Sequence, residues 1–276
     1  YDHADIYDSV EAIERAFDSL VDLVPPTGRI VACASAPRIM ARLARSRAPV
    51  ITYGLNDADR TADALELGPF GARFVTTYAG QPEAFAIASA GTHNVENALA
   101  ALIVAEGAGV SAATARDALA GFEGVARRQT VRGIEAGVRV VDDFAHHPTA
   151  VARTLRGLAA QYPDGRLFAV FEPRTATSAR RVFRDAYVEA FDAADDVTIA
   201  PVGRPELAEH ERLDTADLAH AIAGRGPAAR AAPSLDAIVA DLVARAGSGD
   251  TIVFMSNGGF GDIHEKTLAA LKARGS

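Results

Sequence analysis

The spacing of apolar residues divides the chain into helices and short buried strands. Apolar side chains recur at helical spacing from Ile6 to Val24, which predicts an amphipathic helix that stops before two consecutive prolines. The apolar run at residues 30–34 predicts a buried strand, and Pro37 is placed to open the next helix. Further strands are predicted at 50–53, 64–67, 72–78 and 83–89, and further helices at 93–106 and 112–119.

Strands and helices alternate in the second half of the chain. Strands are predicted at 138–141, 167–171, 197–200 and 251–255, and helices at 149–161, 179–191, 215–223, 235–246 and 263–273. This alternation predicts a mainly parallel sheet with helices on both faces, and we expect one domain at 1–123 and another at 124–276. Because ligands of such sheets bind beyond the carboxyl ends of the strands, residues directly after strands are the first candidates for chemistry.

Composition and charge exclude several classes of protein. Hydrophobic residues make up 49% of the 276 positions and charged residues 23%, which is typical of a globular chain. There are 28 Lys and Arg against 36 Asp and Glu, a formal net charge of −8, which disfavours nucleic acid and anionic membranes as partners. Cys33 is the single cysteine, and no apolar run reaches the roughly 18 residues of a transmembrane helix. We therefore expect a cytoplasmic protein.

The chain lacks the phosphate loop of many ATP-using enzymes. It begins at Tyr1 without a Met, and neither Lys266 nor Lys272 belongs to a G-x-x-x-x-G-K-[ST] motif. We interpret the chain as a fragment of a longer protein, in which any loop that binds ATP phosphates lies elsewhere.

The strongest candidate site follows the strand predicted at 138–141. Asp142 and Asp143 end this strand, His146 and His147 follow, and Pro148 opens a helix. Four titratable groups therefore converge at the carboxyl edge of the sheet, in a spacing that does not match a zinc motif. We favour a functional site here over helix capping alone.

Two asparagines near a helix start form a second candidate. Asn94 and Asn97 lie three residues apart and share one face of the helix, an arrangement that suits recognition of a planar base by two amides. Asparagine capping explains one of the two amides well. Binding and capping therefore both stay open.

Three further clusters have ordinary structural alternatives that stay open on these residues alone. An imidazole lies between two carboxylates at the start of the chain, two arginines lie at the expected domain boundary, and an arginine and a Gly-rich turn follow two of the strands. The residues concerned are Asp2-His3-Ala4-Asp5, Arg127-Arg128, Glu172-Pro173-Arg174 and Ser256-Asn257-Gly258-Gly259-Phe260-Gly261. A solvated helix start, surface arginines and a connecting turn are the competing interpretations.

Taken in order, these clusters resemble the Mur ligases, the ATP-dependent amide-forming enzymes of peptidoglycan assembly. The D-H-x-D start, the H-N-x-x-N-A helix, the R-R pair and the D-D-[FY]-x-H-H-P turn carry the resemblance, which covers nearly the whole chain. It implies an α/β fold, in which the end of a Mur ligase central ATPase domain is followed by a Rossmann-like C-terminal domain with a mainly parallel sheet. The missing upstream domains of the same protein would hold the UDP-sugar site and the phosphate loop.

The segments around Arg174 and Ser256 look most like the branch of the family that works in peptidoglycan recycling. This branch joins the murein tripeptide L-Ala-γ-D-Glu-meso-diaminopimelate to UDP-N-acetylmuramate through an acyl phosphate. The alternatives are a ligase that adds L-alanine to the same carboxylate, and a nucleotide-binding module without catalysis.

The resemblance also implies a role for each matching residue. His3 would bind Mg²⁺; His93, Asn94 and Asn97 would hold the adenine of ATP. Arg128 would reach the ATP phosphates and Asp143 the ribose, while Asp143, His146 and His147 would lie at the reaction centre and handle the amine proton. The amino-substrate pocket would consist of Arg174, Ser256, Asn257 and Phe260.

Overall fold

The chain folds into two compact units. The computed structural model describes residues 6–68, 71–89, 91–203 and 207–275. Within these residues, contacts divide the chain between Glu123 and Gly124. No helix in this described part is both long and apolar enough to cross a membrane.

The N-terminal unit holds two small sheets and four helices among its described residues. A parallel sheet has the order β1 (Ile30–Cys33), β2 (Val50–Gly54), β3 (Arg60–Thr61), and an antiparallel sheet has the order β4 (Asp63–Gly68), β5 (Gly71–Tyr78), β6 (Gln81–Ile87). The helices are α1 (Val10–Leu23), α2 (Pro37–Leu43), α3 (Thr92–Gly107) and α4 (Ala112–Ala120). The core forms where α3 packs Val95, Leu99 and Leu102 against the antiparallel sheet.

Helix α1 differs in two ways from its predicted form. It begins at Val10 rather than Ile6, because the Ser9 side chain accepts a hydrogen bond from Ala12 N and caps the helix there. Its apolar stripe is also largely uncovered: Val21 is buried, whereas Leu20 and Leu23 are exposed. The amphipathic pattern therefore predicted the helix correctly, but burial of the whole apolar face was not achieved.

The C-terminal unit is a six-stranded sheet of order β11-β10-β9-β12-β8-β7. Its strands are β7 (Thr130–Glu135), β8 (Val138–Asp143), β9 (Leu167–Phe171), β10 (Asp196–Ile199), β11 (Ala228–Ala231) and β12 (Thr251–Met255). All neighbouring strands are parallel except β7, which pairs antiparallel with β8. Helices α5 (Pro148–Gln161), α6 (Arg184–Ala190), α7 (Thr215–Ala223), α8 (Leu235–Arg245) and α9 (Ile263–Gly275) pack around it. The predicted α/β class is confirmed.

The register of the three central strands builds the edge that carries the candidate site. Met255 on β12 lies opposite Asp143 on β8 and Phe171 on β9. The first residues after β9 and β12 therefore lie beside the end of β8. This alignment brings Glu172 and Ser256 next to the two aspartates, as expected for the carboxyl ends of parallel strands.

Several elements were not predicted correctly. Strands β3, β7 and β11 are short or carry little apolar alternation, so their sequences give little strand signal. The helix expected at 179–191 starts only at Arg184, after a short 3-10 turn. Upstream of that turn, Ser178 Oγ accepts hydrogen bonds from the backbone N–H groups of Arg174 and Thr175, which favours a turn over a helix.

Candidate active site at the carboxyl edge of the C-terminal sheet

Asp143 is the most enclosed group of the candidate site. One carboxylate oxygen accepts hydrogen bonds from Ala145 N (2.7 Å) and Thr154 Oγ1 (3.2 Å), and the other accepts from Gln129 N (2.8 Å). Burial raises the pKa of Asp143, and these three hydrogen bonds offset only part of that rise. The carboxylate therefore fixes the loops around it; its predicted contact with a ribose stays a prediction.

Asp142 points to the opposite face of the strand and interacts with two basic side chains. Its Oδ1 lies 3.4 Å from His264 Nε2, and its Oδ2 lies 3.5 Å from Arg127 Nε. Burial alone would raise the pKa of Asp142, but the close approach of His264 and the charges of Arg127 and Arg132 outweigh it, and the pKa lies below its usual value. Asp142 is thus held ionised inside the sheet edge.

The two histidines have different local roles. His147 is the N-cap of α5, where its Nδ1 accepts a long 3.4 Å hydrogen bond from Thr149 N, and its ring packs edge-on against Phe183. His146 places Nδ1 3.0 Å from the carbonyl oxygen of Phe144, and its own carbonyl accepts a short hydrogen bond from the Tyr187 hydroxyl. Both residues are half-buried, but the Nε2 atom of His147 is buried. Helix capping therefore accounts for part of the His-His-Pro sequence.

Glu172, Ser256 and Arg174 form a second polar group at this edge. The buried Ser256 hydroxyl donates a short hydrogen bond to Glu172 Oε2 and accepts one from Gly258 N (2.9 Å). The other Glu172 oxygen lies 3.9 Å from Arg174 Nη1. The Arg174 side chain is half exposed, so part of it is open to solvent at this edge beside Glu172.

The Gly-rich turn packs directly on Arg174. A Cβ atom at Gly258 would come within 2.8 Å of the Arg174 Cδ, Nε and Cζ atoms. Only glycine lets the turn approach this side chain so closely. The turn and Arg174 therefore behave as one packed group, joined through Gly258.

Asn257 and Phe260, both assigned to the substrate pocket, differ in environment. The Asn257 Oδ1 atom is buried and has no hydrogen-bond partner in the described structure, which suits an acceptor for a ligand N–H group. The Phe260 ring is completely buried and packs edge-on against Phe254 at 5.9 Å, in the core under α8 and α9. The structure thus does not place Phe260 in the pocket, because burying its apolar ring in the core stabilises the fold.

The two arginines at 127 and 128 lie in unlike surroundings. Both guanidinium groups lie 5.2 Å from the centre of the Phe144 ring. Arg127 is half-buried and bonded to the protein, whereas Arg128 is exposed. Arg128 thus presents a positive charge to solvent close to the Asp-Asp-Phe turn, where an anionic group can reach it.

The predicted adenine-binding residues lie on the first turns of α3 in the N-terminal unit. Asn94 is half-buried, Asn97 is exposed, and both follow Gly91, whose φ of 93° starts the helix without a side-chain cap. Asn94 N donates to Gly91 O at 3.1 Å, so this backbone bond closes the first turn. His93 is half-buried beside them. The N-cap position of this helix is thus taken by a glycine and not by an asparagine.

The predicted magnesium ligand His3 lies outside the described residues. Among residues 6–68, 71–89, 91–203 and 207–275, no group of three or more His, Cys, Asp or Glu side chains is arranged to hold a metal ion. The magnesium site stays a prediction from the sequence.

Three residues at the sheet edge had no assigned role in the sequence analysis. Glu172 directly follows a buried strand, and this position was itself the available signal. Arg127 was indistinguishable from Arg128 by sequence. His264 gave no signal, because its partner Asp142 lies more than a hundred positions away in the chain.

Comparison with known proteins identifies both halves of the chain. The Mur ligase middle domain matches residues 1–105, and the Mur ligase glutamate ligase domain matches residues 126–258. A UDP-N-acetylmuramate–L-alanine ligase from Caldanaerobacter subterraneus subsp. tengcongensis is 31% identical over 273 residues, covering 97% of this chain and 58% of the relative. The chain thus spans little more than half the length of that relative.

Solved structures of Mur ligases are also similar to this chain. A murein peptide ligase from Psychrobacter arcticus 273-4 is similar with a TM-score of 0.67 and 30% identity, over 96% of this chain and 56% of that one. The MurF ligase from Thermotoga maritima, solved in complex with ADP, has a TM-score of 0.76 over 99% of this chain and 60% of that one, and at 17% identity it shows a shared fold. From its two matching domains and its fold, the chain belongs to the Mur ligase family.

Proposed function

We propose that the protein is an ATP-dependent ligase that joins the amine of the murein tripeptide L-Ala-γ-D-Glu-meso-diaminopimelate to the carboxylate of UDP-N-acetylmuramate. Mur ligases are ATP-dependent ligases, which supports the reaction class. The similarity to a murein peptide ligase supports the choice of tripeptide. Because the chain spans 56% of that protein, the activity is proposed for the full-length protein and not for this part alone.

The Arg174 group is the observation that carries this proposal. The amine substrate of such a ligase has at least one free carboxylate, and an accessible guanidinium is the side chain best suited to bind it. Arg174 offers this group at the carboxyl edge of the sheet, with Glu172 and the Gly258 turn packed behind it. Asn257 Oδ1 adds an acceptor for a substrate N–H.

The chemistry requires an activated carboxylate and a neutral amine. ATP supplies the activation, because phosphorylation turns the carboxylate into an acyl phosphate that an amine can attack. In this chain, His146 and His147 follow the sheet edge and would accept the proton that the attacking amine loses. We favour His146, because the His147 Nε2 atom is buried and its Nδ1 atom accepts a hydrogen bond from Thr149 N. Asp143 fixes the turn that carries them through its three hydrogen bonds.

We assign nucleotide binding to two groups of residues. His93, Asn94 and Asn97 on α3 would hold the adenine ring, since two amides on one helix face match its hydrogen-bonding edge. The exposed Arg128 would bind a phosphate group. Mg²⁺ bound through His3 would offset the charge on the transferring phosphoryl group.

A second candidate function differs only in the amine substrate. Relatives of this chain carry the name UDP-N-acetylmuramate–L-alanine ligase, which favours L-alanine. Alanine and the tripeptide both present a carboxylate to Arg174, so the pocket described above serves either one.

Direct competition separates these candidates. The full-length protein is given UDP-N-acetylmuramate, Mg-ATP and equimolar L-alanine and tripeptide, and the products are separated by mass. The proposal expects the tripeptide product to dominate. A dominant alanine product would show that L-alanine, and not the tripeptide, is the amine substrate. ATP binding without either product would favour a nucleotide-binding module. Arg174→Ala should lower the rate of product formation about tenfold at low amine concentration. Arg156→Ala, on the exposed surface of α5, should leave that rate unchanged.

A further inference from the structure

The adjacent residues Arg127 and Arg128, at the start of the C-terminal unit, make different contacts. Arg127 Nη2 donates hydrogen bonds to the carbonyl oxygens of Ser256 (2.7 Å) and Gly258 (2.6 Å), and its Nε lies 3.5 Å from Asp142 Oδ2. Arg128 is exposed and makes its described contact with the Phe144 ring. The same residue type therefore faces inward at one position and outward at the next.

The backbone around Arg127 is held in a conformation that orients this side chain. Arg127 has a φ of 60° and Gln129 a φ of 53°, a region that side-chain-bearing residues seldom adopt. Arg127 N donates to Thr130 Oγ1 at 2.9 Å, and Arg127 O accepts from Phe144 N at 2.8 Å. Such a backbone persists only when its surroundings fix it, and here they fix the direction of Arg127.

A chain of contacts connects Arg127 to the proposed amine-binding group. Arg127 binds both ends of the Ser256–Gly258 turn through its carbonyls. Gly258 in turn packs on the Arg174 side chain so closely that a Cβ atom would overlap it. Displacing the turn therefore displaces the surface on which Arg174 rests.

We infer that Arg127 is a positioning residue for the amine substrate: it holds the Ser256–Gly258 turn, and through Gly258 it holds Arg174 in its ligand-binding position. This inference rests on the proposed function and deepens it, because it divides the two arginines between two substrates. Arg127 acts on the amine substrate without touching it, and Arg128 acts on the nucleotide.

The kinetic test uses Arg127→Ala, Arg128→Ala and Arg156→Ala in the full-length protein. We expect Arg127→Ala to raise KM for the tripeptide about tenfold or more with KM for ATP unchanged, because charged hydrogen bonds that order the turn are lost. Arg128→Ala should raise KM for ATP alone, and Arg156→Ala should change neither. Arg127→Lys should recover part of the loss, since an ammonium group keeps the charge and can reach a carbonyl.

A double variant tests the route through Arg174. If Arg127 acts through Arg174, the effects of Arg127→Ala and Arg174→Ala on tripeptide KM will be less than additive. Arg128→Ala and Arg174→Ala should change the KM of different substrates: Arg128→Ala that of ATP, and Arg174→Ala that of the tripeptide. Additive effects of Arg127 and Arg174, or a rise in ATP KM from Arg127→Ala, would overturn the inference. Should Arg127→Ala fail to fold, Arg127→Lys is read by the same criteria.

Hydrogen exchange separates failure of this inference from failure of the proposed function. A wild-type protein that forms no amide product would refute the proposed function. In this chain alone, faster amide exchange of Gly258 in Arg127→Lys than in Arg128→Lys would still support the positioning of the turn. Equal exchange in the two variants would refute the positioning itself.

Discussion

Both ends of the C-terminal sheet contain buried carboxylates, but Asp143 at the carboxyl end has different partners from Asp196 and Asp250 at the amino end, while Asp142 beside it is paired with Arg127. At the amino end, Asp196 accepts hydrogen bonds from Arg230 (2.6 and 2.8 Å) and forms a second ion pair with Arg245, and Asp250 pairs with Arg166 at 2.7 Å. At the carboxyl end, Asp143 is held by backbone N–H groups and Thr154. The first arrangement cancels charge; the second orients loops.

The pKa values follow this difference. Burial opposes ionisation of Asp196 and Asp250, but hydrogen bonds and charge from their arginines outweigh burial and lower both pKa values. Burial dominates at Asp143 and raises its pKa. Asp196 and Asp250, whose burial is offset by arginines, are suited to stabilising the fold. Asp143, whose burial is offset only in part, marks the candidate site.

The largest expected effect is on stability at the amino end. Asp196→Ala removes one of the two carboxylates that Arg230 and Arg245 share and leaves them paired with Asp241 alone. Because four charged hydrogen bonds to Asp196 are lost, we expect the free energy of unfolding to fall by about 3 kcal/mol. Urea unfolding measures this change. A fall well below 1 kcal/mol would show that the amino-end pairs are too solvated to stabilise the sheet.

Glycine substitutions at the two ends give a matched comparison. A Cβ atom at Gly165 would lie 2.0 Å from the carbonyl oxygen of Gly249, so Gly165→Ala forces backbone movement and should cost about 2 kcal/mol of stability. A Cβ atom at Gly258 meets the flexible Arg174 side chain, so Gly258→Ala should spare stability and raise tripeptide KM. Melting temperatures and tripeptide KM values of both variants test this contrast. Equal melting temperatures of the two variants would contradict it.

Arg174 should matter for binding more than for folding. Its guanidinium is half exposed, and removing it should weaken amine-substrate binding by about 1.5 kcal/mol, or roughly tenfold, with little change in melting temperature. Titration of the full-length protein with the tripeptide measures the affinity. Arg166→Ala at the amino end is the control, and we expect it to lower stability while leaving affinity intact.

The smallest expected effects are pH dependences of opposite sign. Asp196 has a lowered pKa, so its contribution to stability is present above the unfolded pKa of about 3.9 and is lost as the pH falls further. Asp143 has a raised pKa, so its contribution is present at low pH and is lost as the pH rises through its folded value. The destabilisation by Asp196→Asn should therefore shrink on acidification, and that by Asp143→Asn should grow. Urea unfolding from pH 7 to pH 3 measures both, and parallel trends would contradict the assignment.

Much of the fold could be predicted, because apolar runs identify the strands and their alternation with helices specifies a parallel sheet. The buried runs that became β9 and β12 and the alternation with helices specify a parallel sheet, and strand ends then place Asp142, Asp143 and Ser256 at one edge. The antiparallel edge strand β7 could not be predicted, because its residues are half solvated and show no clear alternation.

The sequence by itself determined most of the helices and strands, the edge at which the polar residues meet and the family of the chain. Only the tertiary structure decided what each side chain does there. It buried Phe260 in the core, used His147 as a helix cap, turned Arg127 inward and left Arg128 in solvent. These outcomes depend on partners distant in the chain, such as Ser256 for Arg127 and Phe254 for Phe260, and on φ values that the residue type alone does not fix. Burial and hydrogen bonding are properties of the assembled neighbourhood, so the same residue type at adjacent positions acquires different roles.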